Sequence, residues 1–165
     1  MADYRRNRVA GGTYFFTVAL AERGGSLLVD RIDLLRDAVQ RTRADRPFAI
    51  DAWVVMPDHL HCVWTLPEGD ADFSSRWQII KARFSHGSDV RPARSASKAG
   101  KRERGVWQRR FWERTVRDET EFAACVRYCW LNPVKHGFVA RPVDWPWSSF
   151  HATVRRGDVT EDWGG

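Results

Sequence analysis

Apolar residues follow two different periods along this chain. Thr13 to Leu20, Thr-Tyr-Phe-Phe-Thr-Val-Ala-Leu, is dense in β-branched and aromatic residues and follows Gly11-Gly12, which predicts a first strand. From Asp33 to Arg46 the spacing becomes helical. Leu34, Leu35, Ala38 and Val39 recur on one face, with Asp33 as predicted N-cap and Pro47 as stop. Phe48 to Met56 and His59 to Leu66 are apolar runs separated only by Pro57-Asp58, the pattern of an antiparallel hairpin. Pro67-Glu68-Gly69-Asp70 breaks it, and Asp72 to Phe84 returns to helical spacing with Phe73, Trp77, Ile80 and Phe84 in register. Arg91 to Arg104 holds six basic residues, one acid and no apolar period, which predicts a loop. Phe111 to Val116 reads as a fourth strand. A last helix starts near Asp118, where Glu121 three residues on completes a capping-box-like pair. Its apolar stripe is Phe122, Cys125, Val126 and Cys129, and Pro133 predicts an end within the turn that holds Asn132.

Strand, helix, hairpin, helix, strand, helix is the order of an α+β fold, an antiparallel sheet with helices packed on one face. Residues 1–150 read as a single domain and 151–165 as a polar C-terminal tail. No apolar run reaches membrane-spanning length and the N-terminal residues lack the apolar core of a signal peptide, so a cytoplasmic location is expected. Cys62, Cys125 and Cys129 lie within apolar patterns without a Cys-x-x-Cys pair, which favours reduced core residues over bridges or a zinc site. Lys plus Arg outnumber Asp plus Glu by 27 to 21, a formal charge of +6. This balance favours a polyanionic partner, and nine tryptophans add indole faces that can stack on unpaired bases.

Alternation along the second hairpin strand sends His59 and His61 to one side and Leu60 and Cys62 to the other. With Cα atoms roughly 6.5 Å apart, two imidazoles can converge on one ion. The plainer reading is a pair of half-exposed strand histidines. On the last helix Tyr128 and Asn132 share a face one turn apart, on the flank of the apolar stripe. Tyr128 by itself also reads as a boundary residue with a wet hydroxyl. If that helix packs on the sheet, the four residues form one site: a metal held by His59, His61 and Asn132 polarises a phosphate, and the Tyr128 oxygen attacks phosphorus. Imidazole, amide oxygen and phosphate suit Mg²⁺ or Mn²⁺ better than Zn²⁺. No Gly-x-x-x-x-Gly-Lys-Ser/Thr loop is present, and exchange of one phosphoester for another needs no nucleotide.

Pro57-Asp58-His59-Leu60-His61 resembles the histidine-hydrophobic-histidine signature of HUH endonucleases. The segment Tyr128 to Gly137, Tyr-Cys-Trp-Leu-Asn-Pro-Val-Lys-His-Gly, resembles the nucleophile helix of REP-associated tyrosine transposases. Gly12 to Thr17, Ile80 to Ser85, Trp107 to Glu113 and Trp145 to Phe150 extend the resemblance over nearly the whole chain, with Arg114 standing where the family commonly has histidine. The resemblance implies a ferredoxin-like fold, Tyr128 as nucleophile and His59, His61 and Asn132 as metal ligands. It also implies single-stranded hairpins of repetitive extragenic palindromes as substrate, nicked and rejoined through a 5′-phosphotyrosine. Expected DNA contacts are Lys81, Arg83, the loop residues Arg94, Lys98, Lys101 and Arg102, and Arg109 and Arg110, with Trp107 and Trp112 as stacking candidates and core packing the alternative role for at least one of them. The competing readings are a replication-initiator or relaxase-type nickase and a non-catalytic hairpin-binding regulator, acting as monomer or homodimer.

Overall fold

The computed structural model describes residues 6–90 and 105–165, so the basic stretch with Arg94, Lys98, Lys101 and Arg102 lies outside the described residues. Strands β1 (Thr13–Ala19), β2 (Ala49–Val55), β3 (His59–Thr65) and β4 (Trp112–Val116) form one sheet in the order β2-β3-β1-β4, with every neighbouring pair antiparallel. This is the ferredoxin-like arrangement. The two central strands are buried on both faces, which is why β1 and β3 read as near-continuous apolar runs.

One face carries Tyr14, Phe16 and Val18 of β1 and Leu60, Cys62 and Trp64 of β3. Against it pack α2 (Ile32–Asp45) through Leu35, Ala38 and Val39, and α3 (Phe73–Gly87) through Phe73, Trp77, Ile80 and Phe84. Trp64 and Trp77 stack with ring centroids 4.3 Å apart. The expectation of helices on one face holds for this pair and needs correction for the last helix. That helix, α4 (Glu119–Lys135), covers the opposite face, where Cys129 and Trp130 meet Phe15, Ala52, Val54 and Val63. The correction has a simple cause: Phe15 of β1 and its β3 partner Val63 are apolar on that side and need cover.

Smaller differences concern element ends. A short α1 (Leu27–Asp30) precedes α2, whose N-cap position is Arg31 without a side-chain cap, and Asp33 sits exposed in the first turn. By contrast Asp72 and Asp118 cap α3 and α4, accepting from the Ser75 and Glu121 N–H groups. The Glu121 carboxylate reaches back to the Arg117 N–H rather than to that of the cap. Helix α4 continues past Pro133 to Lys135. The proline gives up its own N–H bond and crowds the carbonyl four residues back, and burial of Asn132 and Pro133 holds the last turn in place. The C-terminal segment is docked, both the end of the stretch read as the domain and residues 151–165 read as a polar tail. Trp147 and Ser149 bond to the backbone of Val55 and Trp53 along the β2 edge, and helix α5 (Phe150–Arg155) follows. Trp163 then packs on Trp130 and Phe150.

Candidate active site on the α4 face

Strand alternation puts the histidine pair on the α4 side. His59 and His61 are 7% and 4% exposed with ring centroids 5.0 Å apart. Each ring is fixed through Nδ1. Thr17, directly opposite His61 in the β1–β3 register, places its hydroxyl 2.8 Å from His61 Nδ1. His59 Nδ1 lies 2.7 Å from an Asp58 carboxylate oxygen. A carboxylate only accepts, so His59 carries its proton on Nδ1 and keeps the Nε2 lone pair for a further partner. Asp58 is in turn held by the Arg23 guanidinium at 2.9 Å and the Gly24 N–H at 2.8 Å.

Burial, reinforced by neighbouring His59 and His136, pushes the His61 imidazole down to about 3. His59 is also lowered by burial, against the pull of Asp58. Both rings are therefore neutral at neutral pH, the form that donates a lone pair to a cation. Burial opposes ionisation of Asp58, yet the bonds from His59, Gly24 and Arg23 hold its carboxyl well below the usual carboxylate range.

Helix α4 lies over this pair. The Tyr128 ring meets His61 at 5.1 Å and Phe15 at 5.6 Å, both edge to face, while two turns later His136 meets His59 at 5.6 Å. Asn132 is midway between Tyr128 and His136 on the same helix face. It is fully buried, and neither its Oδ1 nor its Nδ2 has a hydrogen-bond partner. A buried amide with both ends unpaired is costly, roughly 1–3 kcal/mol per group, and calls for a ligand. Two imidazole Nε2 atoms and one amide oxygen thus fit a divalent cation. Among the described residues no three His, Cys, Asp or Glu side chains cluster for metal binding; beside the histidine pair, the Asn132 amide could supply a third donor.

Tyr128 remains 39% exposed, with the Lys135 ammonium 5.2 Å from its ring centroid. Cavities of about 480 Å³ and 430 Å³ open on the Tyr128 side and the His59 side of the centre.

The sequence-predicted residues divide clearly. His59, His61 and Tyr128 come together, and Asn132 lies buried one helix turn from Tyr128 on the same face. Lys81 and Arg83 belong to α3 on the other face, where Lys81 donates to the Gln108 carbonyl and Arg83 pairs with Asp45 at 2.6 Å. Arg109 and Arg110 are exposed just before β4. Trp107 is a correction: bridged to the end of β1 through Leu20 and set against Phe84, it is 7% exposed and packed in the first core, out of reach of a base. Trp112, the other stacking candidate, is 53% exposed. Sequence reasoning missed Thr17, Asp58, Arg23 and Phe15 as supports of the site. Asp58 carried a signal, a carboxylate next to the first histidine, but the Pro-Asp turn accounted for it.

No protein-family model matches the chain. It is 46% identical over 165 residues to the REP-associated tyrosine transposase of Escherichia coli K12, covering all of this chain and 92% of that protein. A putative REP-associated tyrosine transposase of Haemophilus influenzae is 41% identical over 167 residues, with 100% and 94% covered. The solved structure of a REP-associated tyrosine transposase bound to a REP hairpin superposes with a TM-score of 0.90 at 46% identity, covering 100% of this chain and 92% of that one. Similarity of this strength over the full length, on the same fold, means that the chain belongs to the REP-associated tyrosine transposase family and is a transposase that uses a tyrosine.

Proposed function

We propose that this protein nicks and rejoins single-stranded DNA at hairpins of repetitive extragenic palindromes, with Tyr128 as the attacking residue. His59, His61 and Asn132 would hold a divalent cation, Mg²⁺ or Mn²⁺. The observation that carries this reading is the unpaired, fully buried amide of Asn132, midway between Tyr128 and His136 above the histidine pair. The hairpin bound by the solved relative supports the substrate class.

The phenol oxygen of Tyr128 attacks phosphorus, the bond to the 3′ oxygen breaks, and DNA stays joined to tyrosine through its 5′ phosphate. The phenol gives up one proton and the departing 3′ oxygen takes up one, so resealing is the same exchange in reverse. When bound, the cation supplies Lewis-acid polarisation of the phosphate oxygen. The chain's own residues do the positioning. Asp58 and Thr17 fix the imidazoles, Phe15 packs against both His61 and Tyr128, and the Lys135 ammonium adds positive charge beside the tyrosine where a phosphate arrives. No helix is long and apolar enough to cross a membrane among the described residues, and a chromosomal substrate sets the activity in the cytoplasm, by a monomer or homodimer.

Incubating the full chain with an end-labelled hairpin carrying unpaired flanks, with Mg²⁺, Mn²⁺ or chelator, tests the reaction on a denaturing gel. Cut product with either metal and none with chelator is expected. Cutting that is indifferent to the chelator would remove the metal from the mechanism.

A further inference from the structure

The cavity on the Tyr128 side has a floor and two rims of aromatic rings. Phe15 is buried, at 6% exposure, and meets Trp112 at 5.7 Å and Tyr128 at 5.6 Å, each edge to face. Trp112 and Tyr128 stand on either side of it and remain 53% and 39% exposed. Both belong to the lining of the 480 Å³ cavity, and strand β4 lies at the sheet edge, where among the described residues no further strand pairs beyond it. Folding by itself gives no reason to leave two large rings half in water around an open slot.

One end of the slot is polar. Arg114 lies two residues beyond Trp112 on β4, hence on the same face, and its guanidinium is 3.1 Å from Glu121 of α4. Both line the cavity. An aromatic slot closed by a planar donor and a carboxylate suits a flat, hydrogen-bonding ring; a phosphate would find too little positive charge there and an aliphatic chain would leave the ion pair facing it.

We propose that this slot holds one unpaired nucleobase of the DNA strand, stacked on Trp112, with Arg114 reading its edge. Because Tyr128 forms the opposite rim, that base belongs to the nucleotide next to the attacked phosphate. The placement rests on Tyr128 being the nucleophile; the slot's affinity for a base does not. Trp112 and Arg114 thereby set which nucleotide is accepted beside the cleavage point, separately from hairpin recognition.

The test pairs Trp112→Ala and Trp112→Phe with hairpin oligonucleotides whose unpaired tail lacks the base at one position after another. Binding is measured by fluorescence anisotropy in a Tyr128→Phe background, and cutting in the parental background. Trp112→Ala is expected to weaken binding and cutting of the complete tail by about tenfold, with Trp112→Phe recovering most of the loss. On the oligonucleotide lacking one particular base the Trp112→Ala effect disappears, and binding of a tail-less hairpin keeps its parental strength. Equal losses on every oligonucleotide, or no loss at all, overturn the slot. If parental protein forms no DNA adduct but the base-specific cycle appears in binding, the slot stands and the nucleophile reading falls. If the adduct forms and the losses are equal throughout, the slot falls and the nucleophile stands.

Discussion

The two faces of the sheet are built by the same strands and do different things. On the α2–α3 side, Tyr14, Phe16, Trp64, Phe73, Trp77 and Phe84 interlock as an aromatic core. On the α4 side a smaller core of Phe15, Val54, Val63 and Cys129 surrounds two neutral histidines, an unpaired amide and a half-exposed tyrosine. Both faces leave buried polar atoms unpaired, but differently. Trp77 and Trp107 each orphan a single indole N–H on a large apolar ring, whereas Asn132 orphans its whole amide. Stability is concentrated on the first face, and the second gives some up to hold chemistry. The period of two in β3 makes this division possible, since Leu60 and Cys62 serve one side while His59 and His61 serve the other.

Truncation of the structural face has the largest expected effect on stability. Trp77→Ala should cost about 3–5 kcal/mol, read by urea denaturation; a loss below about 1 kcal/mol would show that this core is not where the fold is anchored. Asp58→Asn tests the other face through metal affinity. Without the carboxylate to fix the His59 tautomer, Mn²⁺ binding should weaken about 10- to 100-fold by isothermal titration. Asn132→Leu sharpens the contrast further. Replacing an unpaired buried amide with an apolar side chain of similar size should raise metal-free stability by about 1 kcal/mol while abolishing cation binding, and a clear destabilisation would mean that Asn132 is structural.

The smallest effect is expected at Glu121. Its carboxyl is held down to about 2 by the hydrogen bonds from Arg117, side chain and backbone, with Arg114 adding to them. A depressed acid contributes stability above its ordinary value of 4.5, and that contribution is lost as pH falls toward about 2. Thermal melting of Glu121→Gln should therefore show a shallower acid decline than the parent over this range. Parallel curves would remove Glu121 as a pH-dependent tie between β4 and α4.

Elements with strong periodicity were legible in the chain: β1, the β2–β3 hairpin, α2, α3 and the start of α4 at Asp118. His59 and His61 could be paired because one strand carries both, and Tyr128 and Asn132 because one helix turn separates them. The supports of the site were not legible. Thr17 meets His61 only through the β1–β3 register, which residue patterns along a single strand do not specify. Trp107 and Trp112 are alike as residues, and only the bridge from Leu20 to Trp107 sends one inward and leaves the other at the sheet edge. The side of the sheet taken by α4 depended on where Phe15 and Val63 found cover. Pro133 misled for a similar reason, since tertiary burial of the last turn outweighed the local preference.

Tyr128 as the attacking residue is tested most directly by trapping its product. After reaction of the full chain with hairpin DNA and Mn²⁺, nuclease and trypsin digestion followed by mass spectrometry should yield the peptide containing Tyr128 with a nucleotide phosphate attached. The same treatment of Tyr128→Phe should yield no adduct although the hairpin is still bound. An adduct on another residue, or undiminished cutting by Tyr128→Phe, would contradict the assignment.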